Sequence, residues 1–128
     1  MAAPDLSHID TWIFDLDNTL YCASSRVFDQ IGVRMTQFIE HKYGLDTEAA
    51  RRLRGDYYRA HGTTLNGLMA IKGQDPHEFL SFVHDIDLSG IAEQPALAAS
   101  LARLPGTRLV YTNGSRAHAV RVLERLGI

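Results

Sequence analysis

Residues 11–20 read TWIFDLDNTL, and this stretch decides the fold that we predict for the chain. Its first four residues, Thr11 to Phe14, are aromatic or β-branched and too few for a helix, so they predict a short buried strand. The polar residues from Asp15 onward predict a loop directly after that strand. Ligands of parallel sheets bind beyond the carboxyl ends of the strands, so this acidic loop is a candidate site.

A second strand with a polar end is predicted late in the chain. Residues 108–111 read RLVY, and TNGS at residues 112–115 leads into an amphipathic helix that Gly127 closes. Helical periodicity predicts a block of helices between the strands. Asp75 and Pro76 mark one clear helix start, where the Glu78 side chain can reach back to the cap and complete a capping box. The βαβα order predicts an α/β fold with a parallel sheet, a right-handed crossover and a helical insertion after the first strand.

Composition and charge exclude several classes of protein. The 128 residues are 45% hydrophobic and 22% charged, which is ordinary for a globular chain. Thirteen basic and 15 acidic residues leave a net charge of −2, too weak a field for a nucleic-acid polymer or a membrane surface as main partner. No secretion signal and no membrane-span-length apolar run is present, and Cys22 is the only cysteine. We therefore expect a soluble, cytoplasmic protein.

The polar ends of the two predicted strands together indicate phosphoryl chemistry. Asp15 and Asp17 alternate along the chain, so both side chains can face one crevice, one as nucleophile or metal ligand and the other for proton transfer. Thr112, Asn113 and Gly114 supply a hydroxyl and backbone N–H groups at a helix N-terminus, which attracts anions. A divalent cation, most naturally Mg²⁺, would relieve the repulsion between acids and anion. The acidic pair alone is equally an ordinary solvated turn, and Thr112 to Ser115 alone is more often an ordinary turn that caps a helix.

Both motifs resemble those of one large enzyme superfamily. IFDLDNTL at residues 13–20 resembles the first motif of the haloacid dehalogenase-like (HAD) hydrolases, an apolar strand followed by DxDxT, and VYTNG at residues 110–114 resembles the second. The resemblance implies a Rossmann-like HAD core, with a parallel sheet that is incomplete here, formed by residues 1–20 and 95–128. It implies an inserted α-helical cap at residues 21–94.

The resemblance also implies an activity and residue roles. Residues 15–22, HGTTLNGL at 61–68 and residues 112–128 are similar to bacterial and fungal pyrimidine 5'-nucleotidases, Mg²⁺-dependent phosphomonoesterases that hydrolyse nucleotides such as UMP or CMP. In that family Asp15 would be the nucleophile that carries the phosphoryl group and a Mg²⁺ ligand. Asp17 would be the general acid and base, with its backbone carbonyl on Mg²⁺. Thr112 and Asn113 would hold the phosphate, and the acid at Asp17 disfavours dehalogenation.

Three residues of the predicted cap have two interpretations. His61, Thr63 and Thr64 either contact the base or ribose of a nucleotide or only form a turn and a helix cap. The cap is also the part that would distinguish a nucleotidase from a HAD sugar-phosphate phosphatase or phosphomutase, which share the same first steps.

In the family, a lysine and a further acidic residue, both located after the second motif, complete the site. This sequence has no clear counterpart of either one there. The only lysines, Lys42 and Lys72, fall in the predicted cap, and Glu124 is the sole acid after Thr112. We therefore expect the N-terminal part of a longer HAD hydrolase, and a catalytically inactive fragment is the alternative from a different class. Two strands would leave both sheet edges open, which predicts self-association.

Overall fold

The computed structural model describes residues 3–128 of the chain. Within that range one strand comes first, five α-helices follow, and a second strand precedes the last helix. The strands are β1 (Thr11–Phe14) and β2 (Thr107–Val110), a 3-10 helix spans Ala23–Ser25, and the α-helices are α1 (Val27–Tyr43), α2 (Thr47–His61), α3 (Thr64–Lys72), α4 (Pro76–Val83), α5 (Pro95–Ala102) and α6 (Arg116–Leu126). No helix in residues 3–128 has both the length and the apolar character that crossing a bilayer requires.

The predicted Rossmann-like α/β core is wrong for this chain. Helices make up more than half of it, and within residues 3–128 the one sheet has two strands of four residues each. A Rossmann-like core needs a broader parallel sheet with helices over both faces. Here all four residues of β2 are exposed, and β1 alternates exposed and half-buried residues. The protein is small and largely helical, because only two segments carry the strand pattern while helix signals fill the remainder.

The two strands pair in parallel, with Thr11 opposite Thr107 and Phe14 opposite Val110. The amide of Thr107 donates to the Asp10 carbonyl at 2.8 Å, and the amide of Tyr111 donates to the Phe14 carbonyl at 2.8 Å. Hydrogen bonds at both ends of the ladder therefore hold the register. This register brings the residues that follow β1 and those that follow β2 to the same edge of the sheet.

The chain divides into two compact units, one of residues 26–87 and one of the residues up to Ser25 together with Leu88–Ile128. Helices α1 to α4 form the first unit, and the sheet, α5 and α6 belong to the second. The sequence placed the boundaries at residues 20/21 and 94/95. The assignment of these segments as catalytic core and cap stays a prediction.

Aromatic packing forms the centre of the 26–87 unit. Phe79 is fully buried and lies edge-on to Phe38, with 5.1 Å between the ring centroids. Phe38 contacts Phe82 in a similar way at 5.5 Å. Such edge-to-face pairs add about 0.5–1.5 kcal/mol each to the gain from burial alone. Helices α1 and α4 are thereby fixed against each other.

A predicted capping box at the start of α4 forms only in part. The Asp75 carboxylate accepts from the amide of Glu78 at 2.9 Å, and Pro76 takes the first helical position, as expected. The Glu78 side chain does not return to the cap, because it binds Lys42 Nζ at 2.8 and 3.0 Å and accepts from Gln74 Nε2. A salt bridge to a distant helix has replaced a local hydrogen bond that sequence alone could anticipate.

The second unit is held together by contacts between α6 and the chain segment that leads into α5. The amide of Gln94 donates to the Leu126 carbonyl at 2.9 Å, and Arg125 donates to the Ile91 carbonyl at 2.8 Å. Ile91, Val122 and Leu126 are buried beside these bonds. The helix that follows the second motif is thus anchored at its carboxyl end by residues of its own unit.

We expect the exposed sheet to drive self-association. Because alternate residues of a parallel strand face opposite edges, the amides of Arg108 and Val110 lie on the outer edge of β2. Ile13, Leu109 and Tyr111 add exposed apolar side chains, Leu109 being 48% exposed.

Sedimentation velocity at increasing protein concentration should show association that Leu109→Lys weakens. Met69→Lys replaces an apolar side chain that is 43% exposed outside the sheet and should leave it unchanged. A monomer at every concentration would contradict this prediction.

Candidate functional site

Asp15 lies immediately after β1 and is exposed. Its Oδ1 accepts from the amide of Leu16 at 2.9 Å, and its Oδ2 accepts from the Thr19 hydroxyl at 3.3 Å. Both donors come from the loop that the carboxylate itself opens. The side chain is therefore oriented by its own loop while it stays accessible to a ligand.

The loop from Asp15 to Leu20 is a tight turn built on a buried leucine. Leu16 is 0% exposed, and its carbonyl accepts from the amides of Thr19 and Leu20 at 3.2 and 3.0 Å. Asn18 adopts a left-handed conformation with φ of 56°, which asparagine tolerates better than most residues. Leu16 lies between Asp15 and Asp17 in the sequence, and its buried side chain holds the turn that carries both acidic residues.

Asp17 is largely buried and tightly held. Its carboxylate is 12% exposed, and Oδ1 accepts from the Tyr21 hydroxyl at 2.7 Å and lies 2.8 Å from Nε2 of His118. Tyr21 is itself buried, and burial with the hydrogen bond to Asp17 raises the pKa of its hydroxyl far above the ordinary value. The tyrosine therefore stays a neutral donor to the carboxylate.

The second motif forms a turn that caps α6. The Thr112 hydroxyl accepts from the amide of Gly114 at 3.0 Å, and Asn113 is exposed. Ser115 is the residue before the helix, and its hydroxyl accepts from the amide of His118 at 3.1 Å. This arrangement gives the motif two hydroxyl groups and the positive end of a helix dipole. Such an end attracts anions.

Two bonds join the first motif to the second. The amide of Tyr111, next to Thr112, donates to the carbonyl of Phe14, next to Asp15. His118 in the first turn of α6 contacts Asp17. The residues predicted from the two motifs, namely Asp15, Asp17, Thr112, Asn113 and Gly114, therefore lie at one edge of the two-stranded sheet within one unit.

Sequence analysis missed Tyr21 and His118. Neither residue belongs to a recognisable pattern, since Tyr21 lies within the polar stretch from Asp15 to Ser25 and the six histidines show no metal-ligand spacing. A signal was present for both residues. Tyr21 follows Asp17 by four residues across a turn. His118 lies in the first turn of the helix that follows the second motif, and that motif comes directly after β2.

The site offers Mg²⁺ a partial set of ligands. No group of three or more His, Cys, Asp or Glu side chains able to hold a metal occurs among residues 3–128. Mg²⁺ usually binds one or two carboxylates and completes its shell with water and phosphate oxygens. The exposed Asp15 carboxylate suits that chemistry as one protein ligand, and the other positions would fall to further oxygen donors, the phosphate and solvent.

The three predicted substrate residues lie in the other unit, residues 26–87. Thr63 caps α3, and its hydroxyl accepts from the amide of Asn66 at 3.0 Å. Thr64 is 4% exposed and donates to the Arg54 carbonyl at 3.0 Å. The carbonyl of His61 accepts from the Asn66 side chain, and its ring contacts Tyr57 edge-on. Both threonine hydroxyls thus serve the turn and the cap, and the His61 ring packs on an aromatic side chain.

The lysines and the late acid also have defined positions. Lys42 binds Glu78, and Lys72 lies over the Tyr43 ring at 5.7 Å, all within the 26–87 unit. Glu124 is exposed in the third turn of α6. The unit that contains Asp15 and Thr112 has no lysine in its sequence.

Comparison with known proteins shows a similarity to a curated yeast protein. No family model matches the chain. The chain is 29% identical over 127 aligned residues to Phosphate metabolism protein 8 of Saccharomyces cerevisiae, and the match covers 91% of this chain. It covers 40% of the yeast protein, so the chain spans about two fifths of the length of this curated relative.

Proposed function

We propose that this chain is a HAD-type hydrolase, a Mg²⁺-dependent phosphomonoesterase that acts through an aspartyl-phosphate at Asp15. The observation that supports it most is the hydrogen bond from the Tyr111 amide to the Phe14 carbonyl, 2.8 Å long. It joins the ends of the two strands, so an exposed carboxylate and an anion-attracting helix start follow neighbouring strand ends. A phosphate ester is the ligand that uses both features.

The first chemical step is a phosphoryl transfer to the protein. A carboxylate oxygen of Asp15 attacks phosphorus and forms an acyl phosphate, while the bond between phosphorus and the ester oxygen breaks. The electron pair of that bond passes to the ester oxygen, which takes a proton from the Asp17 carboxyl and leaves as an alcohol.

The second step restores both acids. Asp17, now ionised, takes a proton from a water molecule whose oxygen attacks phosphorus. The bond between Asp15 and phosphorus breaks, its electron pair returns to the Asp15 carboxylate, and inorganic phosphate leaves. Thr112, Asn113 and Gly114, at the start of α6, hold the phosphate oxygens in both steps.

Mg²⁺, when bound, neutralises charge on the phosphoryl oxygens and on the nucleophile. The Asp15 carboxylate and the Asp17 backbone carbonyl would hold it. We expect Mg²⁺ with inorganic phosphate to shift the amide NMR signals of residues 15–17 and 112–114, and a chelator to reverse the shifts and stop turnover. Asp15→Asn should remove the response. Turnover that persists in chelator would contradict a role for the metal.

The substrate class in this proposal is pyrimidine nucleoside 5'-monophosphates. Support comes from the similarity of HGTTLNGL at residues 61–68 to pyrimidine 5'-nucleotidases and from the likeness to a yeast protein named for phosphate metabolism. Contacts of His61, Thr63 and Thr64 with the base or ribose stay a prediction from that similarity. A lone, exposed thiol at Cys22 agrees with action in the reducing cytoplasm.

A substrate panel tests the proposal. Phosphate release by the full chain with Mg²⁺ should be faster from UMP and CMP, compared by kcat/KM, than from small sugar phosphates. Preference for a sugar phosphate would retain the chemistry and overturn the substrate class.

A second candidate is a phosphate-binding protein without turnover. The observation that favours it is that both lysines belong to residues 26–87, while the unit that carries Asp15 contains none. A missing cation on a transferring phosphoryl group costs several kcal/mol of transition-state stabilisation. Phosphate binding without release of phosphate from any ester in the panel would select this candidate.

A further inference from the structure

His118 occupies an unusual position for an ionisable side chain. It is the third residue of α6 and 1% exposed, and its Nε2 lies 2.8 Å from Oδ1 of Asp17. Tyr21, also buried, donates to the same oxygen at 2.7 Å. A carboxylate is thus held at one oxygen by two side chains that are 97 positions apart in sequence (118 − 21 = 97).

The chemistry of the three groups determines the direction of both bonds. An ionised carboxylate only accepts hydrogen bonds, and the Tyr21 hydroxyl donates to it. When Asp17 is ionised, Nε2 of His118 can bond to the same oxygen only as a donor. Two donors on one oxygen leave the carboxylate no freedom to turn about its side-chain bonds without breaking both.

Position matters more for Asp17 than for most carboxylates. An aspartate without such contacts distributes itself over staggered rotamers within nanoseconds. A group that transfers a proton in the transition state must lie within hydrogen-bond reach of the ester oxygen, and a displacement of about 1 Å can cost roughly 100-fold in rate. Bonds to buried groups from two elements supply that restraint.

We propose that His118 and Tyr21 are positioning residues that hold the Asp17 carboxylate in a single orientation for proton transfer. That the two residues orient Asp17 follows from the geometry alone. That this orientation affects catalysis rests on the proposed phosphatase function. His118 additionally ties the loop of the first motif to the helix that begins at the second. The orientation of the acid and the start of the phosphate-binding helix are thereby coupled.

The test measures the orientation of Asp17 directly. Three-bond NMR couplings to the Asp17 side-chain carbons should report one χ1 rotamer in the full chain, and averaged values in His118→Leu and in Tyr21→Phe. His118→Gln, whose amide can place a donor near the position of Nε2, should restore the single rotamer. His77→Leu and Tyr58→Phe alter an exposed histidine and an exposed tyrosine elsewhere and should change nothing.

Kinetics provide the functional readout. His118→Leu should lower kcat for UMP about 10- to 100-fold with little change in KM, since the substrate's own contacts remain. His118→Gln should recover most of the loss. If His118→Leu does not fold, as its amide spectrum will show, Tyr21→Phe and His118→Gln still decide the question.

The two possible failures are distinguishable. A single Asp17 rotamer that persists in both His118→Leu and Tyr21→Phe would overturn the positioning role, whatever the activity. A wild-type chain with the expected rotamer behaviour but no turnover would overturn the proposed phosphatase function and leave the geometric assignment intact.

Discussion

Asp15→Asn abolishes phosphate release from UMP in our account, with a loss of at least about a thousandfold in kcat, because the amide cannot form the acyl phosphate. The exposed carboxylate follows β1 directly and is oriented only by donors from its own loop, so the substitution preserves the shape of the turn. Initial rates with UMP and Mg²⁺, measured beside the amide spectrum of each variant, give the comparison.

Asp10→Asn is the matched control for that experiment. Asp10 is an exposed carboxylate at the opposite end of β1. Its backbone carbonyl accepts from the Thr107 amide, and its side chain accepts from the Thr11 hydroxyl, a bond that asparagine can keep. We expect turnover within about twofold of wild type, since no step of the reaction touches this side chain. Equal turnover in wild type and Asp15→Asn would contradict the role of Asp15.

Gly106→Ala should be the most destabilising single-methyl substitution in the unit that carries the site. Gly106 has φ of +78°, and a Cβ there would lie 2.0 Å from the Asp10 carbonyl oxygen, the acceptor of the Thr107 amide. The left-handed backbone and the forced displacement together should lower the free energy of unfolding by about 3 kcal/mol. Urea denaturation measures the change.

Gly73→Ala separates the two contributions. Gly73 ends α3 with φ of +64°, but a Cβ there meets no atom within 4 Å. Alanine at residue 73 therefore pays only for the left-handed backbone conformation, so we expect the free energy of unfolding to fall by about 1 kcal/mol. Equal losses of unfolding free energy in both variants would show that the clash between a Cβ at residue 106 and the Asp10 carbonyl adds no cost, and would contradict the prediction.

The strands were predictable from local composition, whereas the fold class was not. The first strand falls at Thr11–Phe14 as predicted, but its residues are exposed or half-buried and the predicted burial is wrong. The second strand falls at Thr107–Val110, one residue before the predicted 108–111. The βαβα order then led to an α/β class, but order carries no information on how many strands a sheet contains. A two-stranded sheet with an exposed second strand among six helices in residues 3–128 is a different architecture.

The site was predictable where residues act through their own strand or turn. Asp15 and Thr112 follow strand ends, and a strand end can be read from periodicity. Of the two partners of Asp17, Tyr21 is local, whereas His118 depends on tertiary structure, since it reaches Asp17 only once β2 and α6 have packed. Glu78 shows the same limit, because its local capping role gave way to a salt bridge with Lys42.

The proposed reaction depends on phosphorylation of Asp15, and the covalent state of that residue during turnover shows whether it occurs. The full chain would be mixed with UMP and Mg²⁺, quenched with acid after a short interval, digested and analysed by mass spectrometry. Our account predicts one phosphoryl group on the peptide that contains Asp15, absent in Asp15→Asn and lost on longer incubation once substrate is exhausted. Phosphate release with a phosphoryl group on a different residue, or with none on Asp15 at any interval, would contradict it.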